Sequence, residues 1–172
     1  KRLNLINKFH IQKWYSKVKP VIDDFELKII ALIDTGADLN YIQESLLPTK
    51  YYEKTSEKLT SANGSKMRIK YKLPKVHICQ HNVYFKTSFV LVRNMTDKVL
   101  LGTPFIFLLY PFTTSSEGIT TQAFGQIVTF KFLSPPEVLE LNQLKDCSIS
   151  QSINRLTHQL RFLKEVNYKR IE

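Results

Sequence analysis

The sequence predicts a mainly β domain over residues 1–133, followed by a helical tail over residues 134–172. Three observations carry that expectation. Short apolar or alternating runs, each closed by Gly, Pro, Asn or Asp, recur through residues 11–133. The stretch Ser134-Pro135-Pro136 then marks a change of character. Beyond it Ile149, Ile153, Leu156, Leu160 and Leu163 fall at alternating steps of four and three, the narrow apolar stripe of a helix.

The elements follow in order. Residues 11–19 mix apolar and basic side chains with a partial period of two, and Asp23-Asp24 supplies a turn. Residues 25–33 become increasingly apolar and end Ile29-Ile30-Ala31-Leu32-Ile33, whose β-branched content and short length favour a buried strand. Residues 41–47 read as a short helix stopped by Pro48. A polar stretch ends at Asn63-Gly64, a hairpin turn in which both residues tolerate positive φ. Residues 66–73 alternate Lys66, Arg68, Lys70 and Lys72 with Met67, Ile69, Tyr71 and Leu73, which gives one basic and one apolar strand face. Pro74 suits an edge or a bend. Residues 76–79 and 82–92 are two more strands, and Val99-Leu100-Leu101-Gly102 is an apolar strand ending in glycine. Pro104 suits the first turn of a helix over residues 105–110. Residues 118–133 form a last hairpin turning near Gly125.

Composition bounds what such a chain does. Hydrophobic residues make up 43% and aromatics 12%, enough for a packed core and against global disorder. The longest apolar run, residues 105–110, is far short of the roughly 20 residues that span a bilayer, so no membrane partner is expected. The start Lys1-Arg2-Leu3-Asn4 has no initiator Met and no secretory pattern, which fits a segment of a longer polypeptide. Cys79 and Cys147 make no disulfide framework, and an intracellular setting is expected. The net charge of +10 resides almost wholly in residues 1–133, a balance that attracts polyanions without specifying them.

Asp34-Thr35-Gly36 stands directly after the most apolar strand. An ionised carboxylate there is costly unless hydrogen-bonded or paired. The bland reading is an Asx turn. The context favours another. Residues 31–38, the flap-like residues 59–64 with Asn63-Gly64 at the tip, and Val99-Leu100-Leu101-Gly102 before a short helix occur in one order and spacing. Together they resemble the retropepsins, the aspartic proteases of retroviruses and related elements. The resemblance covers roughly residues 13–133. It implies a retropepsin-like closed β-barrel that supplies one half of an acid protease per chain. It also implies roles: Asp34 as the catalytic carboxylate, Thr35 and Gly36 in its loop, and Leu101 with Gly102 as the support beneath. Ala37, Asp38, Ala62, Asn63 and Gly64 would contact substrate. Only one Asp-Thr-Gly occurs in the chain, so the second carboxylate would come from another copy, in a homodimer. Leu101 to Phe105, then Leu109-Tyr110-Pro111-Phe112, further resemble the protease segment of plant pararetrovirus polyproteins. Residues 162–172 resemble the connector toward a reverse transcriptase. The implied function is an aspartic endopeptidase that cleaves its own polyprotein, in the host cytoplasm or the virion.

One departure stands out. Retroviral proteases usually carry an Arg soon after the second apolar-apolar-Gly, whereas Gly102 is followed by Thr103-Pro104-Phe105, so Asp38 lacks its expected partner. The competing function is an inactive retropepsin-like scaffold, or a basic nucleic-acid-binding module beside a reverse transcriptase. The basic strand at 66–75 reads first as a solvated flap face, and weak nucleic-acid contact through it, without specific readout, is the partner it would add to either reading. His77, Cys79 and His81 share a face if their strand is regular, but no fourth ligand accompanies them, and neither a metal nor another cofactor is expected.

Overall fold

In a computed structural model the described residues are 12–61, 63–135, 137–139 and 141. Two compact units divide the chain, Lys1–Leu133 and Ser134–Glu172.

The first unit is built from strands. β1 (Trp14–Ile22), β2 (Phe25–Glu26), β3 (Ile29–Ile33) and β4 (Tyr41–Gln43) come first. β5 (Glu53–Lys54), β6 (Lys58–Thr60), β7 (Lys66–Arg68), β8 (Tyr71–Gln80), β9 (Val83–Val92) and β10 (Val99–Leu101) follow. A short helix α1 (Thr103–Ile106) precedes β11 (Phe112–Thr114), β12 (Gly118–Ala123) and β13 (Gln126–Lys131). The large sheet runs β2-β1-β3-β10-β4-β9-β8-β5, and β1 also pairs with β8. That extra pairing closes β1, β3, β10, β4, β9 and β8 into a six-stranded barrel, the mainly β retropepsin-like architecture expected. Closure leaves those six strands without a free edge.

Alternation decides what fills the barrel. Along β9, Val83, Phe85 and Thr87 are buried while Tyr84, Lys86 and Ser88 are exposed, a period of two. Val18, Ala31, Ile33, Ile42, Ile78, Phe89, Val99 and Leu101 join the same interior cluster. Phe85, Phe105 and Phe130 meet edge-on or tilted, with ring centroids 5.5–6.2 Å apart, and so pack α1 and β13 onto the barrel. From Val90 onward β9 is buried on both faces, because a second cluster forms outside the barrel wall. Tyr41, Ile69, Val90, Val92 and Leu100 make it, with Leu32, Ala37, Leu39, Leu59 and Met67 packed against them.

Several sequence expectations are corrected. Residues 41–47 are not a helix: β4 is wedged between β10 and β9, and only Glu44–Leu46 form a 3₁₀ turn. Pairing on both sides of a buried Tyr41-Ile42 outweighs the weak local preference. Residues 25–33 are two strands, because the chain kinks at Leu27, whose N–H donates to the Pro20 carbonyl at 3.0 Å. The alternating run 66–73 breaks at Ile69-Lys70, where the chain leaves the β6–β7 ribbon for the barrel. Residues 76–79 are not a separate strand. They continue β8 through Pro74, and the proline falls at a register shift between Leu73 and Val76. The helix starts at Thr103, earlier than 105, with Pro104 in its first turn and a 3₁₀ turn over Phe107–Leu109 behind it. β11 was not anticipated, while the hairpin β12–β13 turns at Phe124-Gly125, both at positive φ.

In the second unit Ser134 caps a helical turn. Its N–H and hydroxyl both donate to Glu137 Oε2, at 2.7 and 2.8 Å, and Pro135 follows at the first helical position. The apolar stripe from Ile149 to Leu163 and the connector-like residues 162–172 lie outside the described residues.

Candidate functional site

Asp34 leaves the end of β3, where the chain stops being sheet and turns. Its N–H donates to the Leu101 carbonyl at 3.0 Å, which fixes its backbone to β10. Its carboxylate Oδ1 accepts the Gly36 N–H at 2.9 Å, and its carbonyl accepts the Ala37 N–H at 3.3 Å. The Asx turn of the bland reading is therefore present, and it aims the carboxylate. Asp34 is half-buried, while Thr35 and Gly36 are exposed. A Cβ on Gly36 would sit 3.3 Å from Asp34 Oδ1, so a side chain there would crowd the carboxylate.

Beneath the loop, Gly102 makes the closest approach. A Cβ at this position would lie 2.5 Å from the Ala37 carbonyl oxygen and 2.6 Å from that of Leu39. Only glycine allows the strand end and the loop to touch in this way. Thr103 then donates twice to the Ala37 carbonyl, from its N–H at 2.8 Å and its hydroxyl at 3.2 Å.

Sequence reasoning missed Asn40. Its side chain is 2% exposed, and every polar atom of it is used. Oδ1 accepts the Gly102 N–H at 2.8 Å, and Nδ2 donates to Thr87 Oγ1 at 2.8 Å and to the Ser88 carbonyl at 3.0 Å. Asn40 thus joins the loop's far end, the strand floor and β9. Its signal was a small amide directly before a buried Tyr-Ile pair, a place where desolvation demands partners. Asp38 is exposed and has no ion-pair partner among the described residues. The loop is anchored by neutral hydrogen bonds instead of the Arg contact that retroviral proteases usually carry.

Facing the loop across the outer apolar cluster is the β6–β7 ribbon. Leu59 and Met67 stand opposite one another in register and pack on that cluster, as do Leu32, Ala37 and Leu39. The ribbon's turn is self-capped. The Gly64 N–H donates to the Ser61 carbonyl at 2.8 Å, and Asn63 Oδ1 accepts the Ser65 N–H at 3.0 Å and the Ser61 hydroxyl. Gly64 alone takes positive φ, +81°, whereas Asn63 contributes through its side chain, which corrects the expected two-residue turn. Ala62 lies outside the described residues.

Two tyrosines colour the electrostatics. Burial, then the nearby carboxylates Asp97 and Asp34, push the Tyr41 hydroxyl up to about 12. Burial and the 2.8 Å hydrogen bond it donates to Asp97 push Tyr15 to about 12 as well. Both are neutral donors at ordinary pH. A shallow depression beside Asp34 is lined by Gln12, Lys13, Trp14, Leu32, Ile33 and Thr35. His81 sits in a turn at positive φ and not on the strand that carries His77 and Cys79. No group of three metal-ligating side chains occurs among the described residues. Nor is any helix there long and apolar enough to cross a membrane.

The fold agrees with what comparison finds. The family model described as retroviral aspartyl protease matches residues 10–107. Among solved structures, the crystal structure of the retroviral protease-like domain of Ddi1 from Leishmania major is similar in fold, with a TM-score of 0.52. That match covers 73% of this chain and 97% of that one at 11% identity. No curated protein matches the sequence.

Proposed function

From its membership of the retroviral aspartyl protease family, to which this chain belongs, we propose that the protein is an aspartic endopeptidase active as a homodimer. The observation that carries the reading is a half-built site: one Asp34 carboxylate, aimed by Gly36 N–H and half-buried in a loop floored by Gly102. With one Asp-Thr-Gly per chain, a dyad needs Asp34 from two copies on a two-fold axis. Two such carboxylates share one proton, because like charges at that range do not both ionise. The ionised one takes a proton from water as the water attacks the scissile carbonyl. The protonated one donates to the carbonyl oxygen. The nucleophile is water, so no covalent intermediate forms.

The partly exposed Leu32, Ala37 and Leu39 offer an apolar wall for substrate side chains, backed by Tyr41 and Leu100, and the β6–β7 ribbon is the flap that covers them. An extended peptide would lie between the two. A polyprotein of pararetroviral kind is the proposed substrate, on the resemblance of residues 101–112 alone.

The test uses a precursor that contains the full chain, wild type and Asp34→Asn, incubated at about pH 4–5, where a carboxylate dyad holds close to one proton. Wild type should cleave and pepstatin should stop it. Activity should fall faster than linearly on dilution, since the site exists only in the dimer. Cleavage that persists in Asp34→Asn, or linear activity where sedimentation shows monomer alone, sinks the proposal.

A further inference from the structure

The β6–β7 ribbon has a second face. Leu59 and Met67 turn toward the apolar cluster, so their neighbours in the pleat turn away from it. On that outer face Lys58 stands directly opposite Arg68, and Thr60 opposite Lys66, all four exposed. Lys70 is exposed just beyond. Like charges directly across an antiparallel pair destabilise it. Nothing nearby relieves them: among the described residues Lys58, Lys66, Arg68 and Lys70 have no ion pair, while Glu57 is engaged by Lys72 at 3.5 Å. Elsewhere Lys19, Lys50 and Arg93 are matched with Glu26, Asp24 and Glu44. Residues 53–72 hold six Lys or Arg against two Glu, so the ribbon concentrates uncompensated charge.

We propose that the outer face of this ribbon binds the phosphate backbone of a nucleic acid. Lys66 and Arg68 are two residues apart on one strand, about 6–7 Å, a repeat that lets successive cations meet successive phosphates of an extended strand. The exposed Thr60 hydroxyl adds a neutral donor on the same face. No aromatic side chain lies on this face, so bases are not stacked and recognition is indifferent to sequence. An acidic protein ligand fits less well. The face offers no apolar patch to bury, and it points away from the Asp34 loop, so a peptide held in the cleft does not reach it.

The test is fluorescence anisotropy of a labelled oligothymidylate of about 20 nucleotides titrated with the full chain at several salt concentrations. The logarithm of affinity should fall with the logarithm of salt at a slope of about −3, the value for four cations on a single strand. The triple variant Lys66→Gln/Arg68→Gln/Lys70→Gln should bind at least about tenfold more weakly, with a slope near −1. Lys58→Glu should lose binding with an unchanged or raised thermal midpoint, because it puts a carboxylate opposite Arg68. Its readout therefore separates lost binding from lost folding. A control, Lys17→Gln/Lys131→Gln, removes exposed charge elsewhere on the barrel and should bind like wild type. A triple variant that binds like wild type overturns the proposal. So does polyglutamate that competes as well as the oligonucleotide at equal charge, which would make the face a site for acidic peptide.

Discussion

The loop at 34–40 and the ribbon at 58–68 meet the same apolar cluster, yet they are held in opposite ways. The loop is fixed from below by contacts that leave no slack: Asn40 with three hydrogen bonds, Gly102 with no room for a methyl group, Thr103 with two donors on one carbonyl. The ribbon is fixed by one apolar face, and its other face carries cations that repel. On the proposed function the loop has to hold a carboxylate in place, and the ribbon has to admit a ligand. Rigid and yielding elements are built from different physics: buried, satisfied polar groups on one side, and a half-buried pair of side chains on the other.

The sharpest way to break this contrast is at Asn40. Asn40→Ala leaves the buried Gly102 N–H and Thr87 hydroxyl unpaired and should cost about 4 kcal/mol, from about 1–3 kcal/mol for each orphaned group. Urea unfolding measures it, and a loss below about 1 kcal/mol would mean the loop is not clamped as described. Gly102→Ala comes next, at about 3 kcal/mol, since two backbone carbonyls must move. Peptide cleavage should fall in this variant even at temperatures where circular dichroism shows it folded. On the ribbon, Met67→Ala removes half-buried apolar contact and should cost only about 1 kcal/mol. Its effect should appear as a raised KM with kcat little changed. The last effect concerns pH. Tyr15 and Tyr41 have hydroxyls raised to about 12, so the folded state holds those protons more tightly than the unfolded chain. Their contribution is complete below about pH 10 and declines between about pH 10 and 12. A urea midpoint that stays flat across that window would refute it, and Tyr15→Phe should lessen the decline.

What the sequence made legible follows the same division. The barrel strands were readable because burial on one face writes a period of two, as along β9, and Gly102 because an apolar run ended in a residue without a side chain. Asn40 showed only as a small amide before an apolar pair, and its role was not readable, since its three partners come from Thr87, Ser88 and Gly102, far along the chain. β4 was misread as helix for the same reason, its strand character being imposed by neighbours on both sides. The alternation over 66–73 did reveal a two-faced ribbon, but not its break at Ile69, which arises where the chain changes sheets. Local pattern reports faces, and long-range pairing reports joints.

The insertion of β10 between β3 and β4 has a consequence for synthesis. The loop that carries Asp34 rests on residues 62 and 66 positions further along, through Asn40 to Gly102 and Ala37 to Thr103. A nascent chain that has emerged only as far as β9 possesses its carboxylate but not the floor beneath it. Chain order thus places a delay between making the aspartate and arming it, because the non-local strand must arrive before the loop can settle.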